Sequence, residues 1–271
     1  MTGHGLSHGA ISVMNAIPCG IGSTIGVALE TKAEFAPSDK LNITLVDRPD
    51  MGTGLVRTCV KRACENIGVE EPVYELKVET EIPPSMGLKS SSSVCNAVIS
   101  AVLDHYGVKM DPLDIIKLGV ECAKVCKVTI TGAFDDACGC GLGGLVITDN
   151  TRNELLCRKE IPKYDVVICI PDWSIPKSKV PVEKYRALAD QYRKMAEGME
   201  DNYLKILTEN GACVEEIIGN SSGLSKKALE LGALAAGISG TGPAVAVVTE
   251  RGKGNEIASS LGCRTIITET I

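Results

Sequence analysis

The order of apolar and polar residues along the chain predicts strands and helices that interleave from end to end. Apolar positions that alternate or run continuously predict strands at 10–17, 26–35, 41–46, 73–82, 142–148, 165–170, 244–249 and 264–268. Apolar positions at helical spacing predict helices at 53–67, 94–106, 111–123, 181–197, 201–209, 213–218, 224–236 and 254–261. This alternation favours an α/β or α+β fold.

A polar turn near the middle of the chain interrupts this pattern. Residues 149–153 read Asp-Asn-Thr-Arg-Asn and follow the predicted strand at 142–148. The 271 residues are enough for one large domain or for two of modest size. We expect two domains, with residues 1–152 in the first and residues 153–271 in the second.

The segment 83–93, Pro-Pro-Ser-Met-Gly-Leu-Lys-Ser-Ser-Ser-Ser, joins a predicted strand to a predicted helix. A glycine-containing loop before a helix directs backbone N–H groups toward one point, and the helix N-terminus adds about half a positive charge there. Lys89 adds a full charge. The alternative is a polar turn in which one serine caps the helix. Four consecutive serines exceed what one cap needs, so the local chemistry favours a phosphate-binding loop.

This loop is not a Walker A motif, because Leu88 separates Gly87 from Lys89 where that motif needs Gly-Lys-Ser/Thr in succession. The order Pro-Pro-x-x-Gly-Leu-x-Ser-Ser instead resembles the phosphate loop of the GHMP kinases, and Gly-Leu-Lys-Ser-Ser-Ser is most similar to that of the archaeal shikimate kinases. The resemblance implies a catalytic role for Lys89, where most other GHMP kinases have a small residue. It also implies ATP binding by Pro84, Ser85, Met86, Gly87, Leu88, Lys89, Ser90, Ser91 and Ser92.

Two further segments resemble GHMP motifs and occur in the expected order. Residues 237–243, Gly-Ile-Ser-Gly-Thr-Gly-Pro, alone indicate a helix end and a tight turn, but they resemble the third motif, a glycine-rich loop that faces the acceptor. Residues 5–17 resemble the N-terminal segment of the archaeal shikimate kinases, although no lysine precedes Lys32. The resemblance implies acceptor contacts by the late loop, and His8 and Ser12 are polar candidates that could equally be structural. The implied acceptor-binding residues are His8, Ser12, Asp135, Ser239, Gly240, Thr241 and Gly242.

The adjacent residues Asp135 and Asp136 alone indicate a helix N-cap with a second acid beside the helix terminus. The segment 132–135, Gly-Ala-Phe-Asp, is similar to the GHMP pattern Gly-x-x-Asp. The resemblance implies that Asp135 is the catalytic carboxylate and that Asp136 supports it, with the roles exchanged if the register differs by one residue. It also implies Mg²⁺ binding by Ser91 and Glu121, for which a solvated helix position is the alternative reading of Glu121.

Composition narrows the classes of function. The net charge is −6 and no basic tract is present, so nucleic-acid binding is not expected. Charges interrupt every long apolar run, so no membrane span is expected. Twelve cysteines without a CxxC pair do not favour zinc ligation or a disulfide framework in a chain of this length. We expect most of them to be reduced core residues of a cytoplasmic protein.

The motifs together imply the α+β GHMP kinase fold, with an N-terminal domain of the ribosomal-S5 type, a ferredoxin-like C-terminal domain and the active site between them. The implied reaction is ATP + shikimate → ADP + 3-phosphoshikimate with Mg²⁺, a step of chorismate and aromatic amino acid biosynthesis. Small molecules are the expected partners, and Arg57 is a candidate to pair with the shikimate carboxylate. Two alternatives stay open: a GHMP kinase of homoserine or mevalonate, and a catalytically silent GHMP-fold ligand sensor. The sequence gives no oligomeric state.

Overall fold

The first sheet and its helices occupy the N-terminal part of the chain. The computed structural model describes residues 1–46, 48, 50–173, 175, 179–219 and 222–271. The strands of the first sheet are β1 (Gly3–Met14), β2 (Ile21–Pro37), β3 (Asn42–Leu45), β4 (Tyr74–Thr80), β5 (Leu145–Asp149) and β6 (Glu154–Lys159). Its helices are α1 (Gly54–Asn66), α2 (Ser90–His105), α3 (Pro112–Val125) and α4 (Phe134–Leu142). The strand order is β3-β4-β2-β5-β6, and β1 pairs with β2.

The second sheet has the order β10-β7-β9-β8. Its strands are β7 (Asp165–Cys169), β8 (Ala235–Ile238), β9 (Val245–Thr249) and β10 (Thr265–Glu269). The helices of this part are α5 (Val182–Arg186), α6 (Ala189–Ala196), α7 (Met199–Ile218), α8 (Leu224–Glu230) and α9 (Gly254–Leu261). All strand pairs of this sheet are antiparallel, and those of the first sheet are antiparallel except β3 with β4.

The predicted elements agree with the structure where the apolar pattern is long, and they differ elsewhere. β6 was not predicted, β1 begins at Gly3 instead of residue 10, and the predicted helix at 181–197 is two helices, α5 and α6. Residues 134–142 form α4, where the apolar pattern predicts no helix. The predicted helices at 201–209 and 213–218 are one helix, α7, which packs so closely on β8 that a Cβ at Gly211 would overlap Gly237. The predicted helix 224–236 ends at Glu230, and residues 235–238 are β8, since a short buried apolar run does not distinguish strand from helix.

The chain passes from the first sheet to the second between Lys159 and Asp165. β6 pairs with β5 across the turn at residues 150–153, so both strands belong to the first sheet. The boundary expected at 152/153 therefore falls inside this hairpin. The polar turn at 149–153 connects two strands of one sheet. A tight hairpin and a domain linker use the same turn residues, so the sequence pattern does not distinguish them.

The cysteines are free thiols, and eight of the twelve are buried, as expected for reduced core residues. Within the described ranges, no group of three or more His, Cys, Asp and Glu side chains is placed to hold a metal ion. A helix with the length and apolar character of a membrane span is likewise absent from the part of the chain that the structure describes.

Gly5 allows β1 to lie directly against α2. A Cβ at Gly5 would overlap the carbonyl oxygen of Ala97, which is part of the α2 backbone. We expect Gly5→Ala to lower the free energy of unfolding by about 3 kcal/mol, since an extra methyl group in a packed interior forces backbone shifts. Urea denaturation measures this. Gly52→Ala is the control, because a Cβ there meets nothing within 4 Å; equal effects of both substitutions would contradict the close packing of β1 on α2.

Candidate active site

A cavity lies where the end of β1, the segment 129–136 and the loops before α2 and β9 meet. We call residues 83–92 the phosphate loop and residues 237–243 the late glycine loop. The residues that line the cavity are Asn15, Ala16, Ile17, Pro83, Ser85, Gly87, Leu88, Lys89, Ser90, Ser91, Ser92, Thr129, Ile130, Thr131, Ala133, Asp135, Asp136, Ile175, Gly240, Thr241 and Gly242. The N-termini of α2 and α4 both face this cavity, so their partial positive charges favour an anion there.

The phosphate loop has an unusual backbone. Ser85, Gly87 and Lys89 all have positive φ angles, and α2 begins at the next residue, Ser90. At Gly87 a Cβ would overlap the carbonyl oxygen of Ser239, so a side chain is excluded. The guanidinium of Arg48 donates to the carbonyl of Ile82 and to Ser90 Oγ (3.1 Å), which joins the two ends of the loop. Such left-handed residues outside glycine cost energy and concentrate at functional sites.

Lys89 points inward from the phosphate loop rather than into solvent. Its Nζ donates to Ser12 Oγ on β1 at 2.6 Å and lies 2.8 Å from Asp136 Oδ1 on α4. The Lys89 side chain is 5% exposed and that of Asp136 is 21% exposed. Among the described residues that line the cavity, Lys89 is the only basic one. It therefore places one positive charge between the phosphate loop, β1 and the acidic start of α4.

Asp135 is a buried carboxyl group at the cavity wall, 5% exposed. Thr24 Oγ1 donates to its backbone carbonyl (2.9 Å), and Asn150 Nδ2 donates to its Oδ1 (2.7 Å). Burial and the nearby charge of Asp136 raise the pKa of Asp135 to about 6, against the opposing effects of Lys89 and Asn150. Asp135 is thus a carboxylate that can take up a proton near neutral pH.

The late glycine loop is hydrogen-bonded to both the phosphate loop and β1. Ser239, which is fully buried, donates from Oγ to the Gly87 carbonyl at 2.8 Å and accepts from the Ser12 N–H at 3.0 Å. Asn15 Nδ2 donates to the Gly240 carbonyl at 2.9 Å. These bonds connect the second sheet to the two segments that carry Lys89 and its partner Ser12.

If the phosphate loop binds ATP, as the resemblance implies, Ser239→Ala should raise the KM for ATP, because the substitution leaves the Ser12 N–H and the Gly87 carbonyl without this partner. An unpaired buried polar group costs about 1–3 kcal/mol, and part of that cost falls on the conformation of the phosphate loop. Initial rates at varied ATP concentration measure the effect. Ser7→Ala is the control, because it removes another buried serine bond, from Ser7 Oγ to the Cys140 carbonyl at 3.2 Å, at a residue that does not line the cavity. If both variants raise KM equally, the bond from Ser239 does not support the phosphate loop.

Several residues expected at the site lie elsewhere. Glu121 is exposed on α3 and Arg57 is exposed on α1, and neither lines the cavity. His8 lies opposite Glu30 in the β1–β2 pairing, four residues before Ser12, and also does not line it. Pro84, Met86 and Ser239 do not line the cavity either: Pro84 is exposed, Met86 packs against the hydrophobic core, and Ser239 bonds to Gly87. Ser12 reaches the site through Lys89.

Two residues of the site were missed by the sequence analysis. Asn15 lies within the predicted strand at 10–17, but β1 ends at Met14 and Asn15 lines the cavity. Asn150 lies in the polar turn after β5 and donates to Asp135. An asparagine in a turn ordinarily indicates only turn geometry. Asn150 stands out in the sequence solely as part of that turn, so nothing local marked it as a partner of Asp135.

Comparison with known proteins identifies the family of this chain. The family model described as GHMP kinases N terminal domain matches residues 54–144, and the model described as GHMP kinases C terminal matches residues 186–267. A shikimate kinase of Methanothrix thermoacetophila is 38% identical over 98% of this chain and 93% of its own length. The chain belongs to the archaeal shikimate kinase family of the GHMP kinases. A shikimate kinase of Pyrococcus furiosus is 34% identical over 92% of each chain.

Solved structures of other GHMP kinases share the fold. A mevalonate kinase of Methanococcus jannaschii has a TM-score of 0.80 at 14% identity, over 100% of this chain and 98% of its own. A homoserine kinase of Cytophaga hutchinsonii has a TM-score of 0.76 at 16% identity, over 100% of this chain and 94% of its own. The expected GHMP kinase fold is confirmed by these similarities, which at such identities concern the fold alone.

Proposed function

We propose that this kinase transfers the γ-phosphoryl group of ATP to the 3-hydroxyl of shikimate. One observation carries the proposal: Lys89 of the phosphate loop and the carboxyl group of Asp135 line the same cavity, in a chain whose full-length curated relatives are shikimate kinases. Acceptor choice among GHMP kinases does not follow from the fold, since mevalonate and homoserine kinases share it. The alternative acceptors are therefore decided by the test below.

The phosphate loop is the proposed ATP site. Ser90, Ser91 and Ser92 line the cavity at the start of α2, and the N–H groups and hydroxyls of a helix N-terminus suit phosphate oxygens. Lys89 adds positive charge where negative charge grows on the transferred group. Phosphoryl transfer needs mainly positioning and charge neutralisation, and this arrangement can provide both.

Asp135 is the proposed proton acceptor. In the balanced step, the shikimate 3-oxygen forms a bond to the γ-phosphorus, the bond from that phosphorus to the bridging β–γ oxygen breaks, and ADP leaves. The hydroxyl proton passes to the Asp135 carboxylate. A carboxyl with a pKa of about 6 is about nine-tenths ionised at pH 7, so it can accept a proton in most molecules. Asp136 pairs with Lys89 and fixes the position of the ammonium group.

Magnesium fits this site through hydroxyl and phosphate oxygens. Mg²⁺ keeps several waters and is usually bound by one or two protein oxygens together with substrate phosphates. Ser91 lies on the cavity wall and would supply such an oxygen, whereas Glu121 is exposed on α3 and does not line the cavity, so we do not retain it as a ligand. When bound, the ion would neutralise phosphate charge. Lys89 and the α2 N-terminus supply positive charge of their own.

A coupled ADP-release assay tests the proposed function. With saturating ATP and Mg²⁺, we expect turnover with shikimate and none above background with homoserine or mevalonate. Turnover with one of the other acceptors instead would assign the chain to another GHMP activity. Ligand binding without turnover on any acceptor would indicate a sensor. Asp135→Asn is the matched control, because it removes the proton acceptor and leaves the phosphate loop unchanged.

A further inference from the structure

Asn150 is a buried polar residue behind the cavity wall, and it immediately follows β5. It is 4% exposed, and its backbone N–H donates to the Gly20 carbonyl at 2.8 Å, which fixes the start of the turn. Its side chain points toward the first turn of α4, where Asp135 lies. The contact joins residues fifteen positions apart that the fold brings together through the first sheet.

Every hydrogen-bonding position of the Asn150 amide is occupied. Oδ1 accepts from the Asp135 N–H at 3.1 Å and from Thr148 Oγ1 at 2.8 Å. Nδ2 donates to Asp135 Oδ1 at 2.7 Å and to Thr131 Oγ1 at 3.3 Å. A backbone N–H can only donate, so the oxygen must face Asp135 N and the amino group must face the carboxyl. The amide therefore holds Asp135 by its backbone and its side chain at once.

Asn150 also replaces a missing helix cap. The N-cap residue of α4 is Ala133, which has a left-handed backbone (φ 53) and no side chain that could accept a hydrogen bond. An N-cap side chain ordinarily accepts from the second or third helical N–H. Asp135 is the second residue of α4, and Asn150 supplies the acceptor from another part of the chain. The start of α4 is thus capped by a residue from the turn after β5.

The charged and titratable groups near Asp135 come from two elements. On α4, the charge of Asp136 raises the pKa of Asp135, and Asp135 in turn raises the pKa of the Cys138 thiol. Lys89 from the phosphate loop lowers the pKa of Asp135 and so favours its charged form. Asn150 is the neutral donor in this group, because its amino group stabilises the ionised carboxylate. Burial and the charge of Asp136 raise the pKa of Asp135. Without the Asn150 donor, only Lys89 and the hydrogen bond from the Asp136 backbone would lower that pKa.

We propose that Asn150 is a positioning residue of this kinase, which fixes the orientation of the Asp135 carboxylate and keeps it ionised for proton acceptance. The inference rests on the proposed role of Asp135 in phosphoryl transfer. It assigns to the turn after β5 a function in catalysis that turn geometry alone does not require. Asn150 acts through Asp135, and it does not line the cavity itself.

Carboxyl carbon NMR of ¹³C-aspartate-labelled protein tests the electrostatic part without any turnover. Asp135 is assigned by comparison with Asp135→Asn, and its pKa is measured in wild type and in Asn150→Ala. Loss of a hydrogen bond to a charged group should raise the pKa of Asp135 by about one unit. A pKa that stays within about 0.3 unit of the wild-type value would overturn the proposal, because so small a shift would mean that Asn150 does not stabilise the ionised carboxylate.

The pH profile of turnover tests the catalytic part. In Asn150→Ala the acid limb of kcat should move to higher pH by the same amount as the pKa, with a loss of about fivefold at pH 6. Asn150→Asp keeps the acceptor for the Asp135 N–H but removes the donor and adds a charge, so it should fold and move the limb further. An unmoved limb in both variants would overturn the proposal.

Val102→Ala is the matched control for a purely structural effect. Val102 is fully buried in the first part of the chain, away from the cavity, and its truncation lowers stability without touching Asp135. It should leave both the pKa of Asp135 and the acid limb unchanged. If Val102→Ala moves them as Asn150→Ala does, the role of Asn150 is structural only. If the wild-type protein has no activity on shikimate, the proposed function is wrong. The NMR titration still tests whether Asn150 stabilises the ionised Asp135.

Discussion

Asp135→Asn is expected to reduce turnover with shikimate by about 10²–10⁴-fold, the usual contribution of a positioned general base. The substitution preserves the size of the side chain and leaves an oxygen for the Asn150 amino group, so the wall of the cavity should keep its shape. It removes only the group that accepts the hydroxyl proton. Steady-state rates at saturating ATP and shikimate measure the loss.

ATP binding should survive this substitution because the phosphate loop is untouched. Trp173, the only tryptophan of the chain, precedes the cavity residue Ile175 by two positions, so its fluorescence can report ligand binding. Asp136→Asn is the internal control, and it should lose less turnover than Asp135→Asn. The reverse order would make Asp136 the proton acceptor. Near-normal turnover in both variants would show that transfer needs no protein base.

The same substitution should stabilise the protein above pH 6. Because the pKa of Asp135 is raised in the folded state, its contribution to stability is complete below its unfolded pKa and is lost as pH rises through about 6. A shift of about two units corresponds to about 2–3 kcal/mol. Asp135→Asn should therefore unfold at higher urea than wild type at pH 8 and not at pH 4. A gain that is equal at both pH values would contradict the raised pKa.

Lys89→Met is expected to lower kcat/KM by about 10–100-fold, because a charge-assisted hydrogen bond to a phosphate contributes about 1.5–3 kcal/mol. Methionine keeps most of the apolar length of the side chain, so the loss reports the charge. The variant also leaves Asp136 without its partner, and we expect lower stability. Initial-rate kinetics and urea denaturation measure the two effects.

A double variant separates these two consequences of losing Lys89. Lys89→Met with Asp136→Asn removes both charges, and it should recover stability relative to Lys89→Met while kcat/KM stays low. Lys109→Met is the control for an exposed lysine that lies after α2, away from the cavity. Recovery of activity together with stability in the double variant would mean that Lys89 serves the fold and not the phosphates.

The phosphate loop could be predicted from the sequence because its chemistry resides in consecutive residues. Strand, glycine loop, lysine and serines stand side by side, and the structure places them at the start of α2 as one unit. The long apolar patterns of α2 and α3 were equally informative, and both helices lie where they were expected. Local order is sufficient when the functional groups are neighbours in the chain.

Other parts of the site depend on contacts that no local pattern contains. Asn150 donates to Asp135 from the turn after β5, and Asn15 donates to the Gly240 carbonyl, 225 positions away in the chain. Glu121 shows the converse limit. It stands on the helix before Asp135, but the packing of α3 leaves it exposed. Which face of a helix is buried depends on its neighbours, so an acidic residue at plausible spacing can still point into solvent.

The position of the phosphate on the product tests the central claim most directly. Shikimate, ATP and Mg²⁺ are incubated with the enzyme, and the product is analysed by phosphorus–proton correlation NMR with ADP counted in parallel. We expect one phosphorylated product, with the phosphorus coupled to the proton on C3 and one ADP per product, and none with Asp135→Asn. A phosphate on another hydroxyl, or no phosphorylated shikimate when homoserine or mevalonate is phosphorylated, would contradict the account.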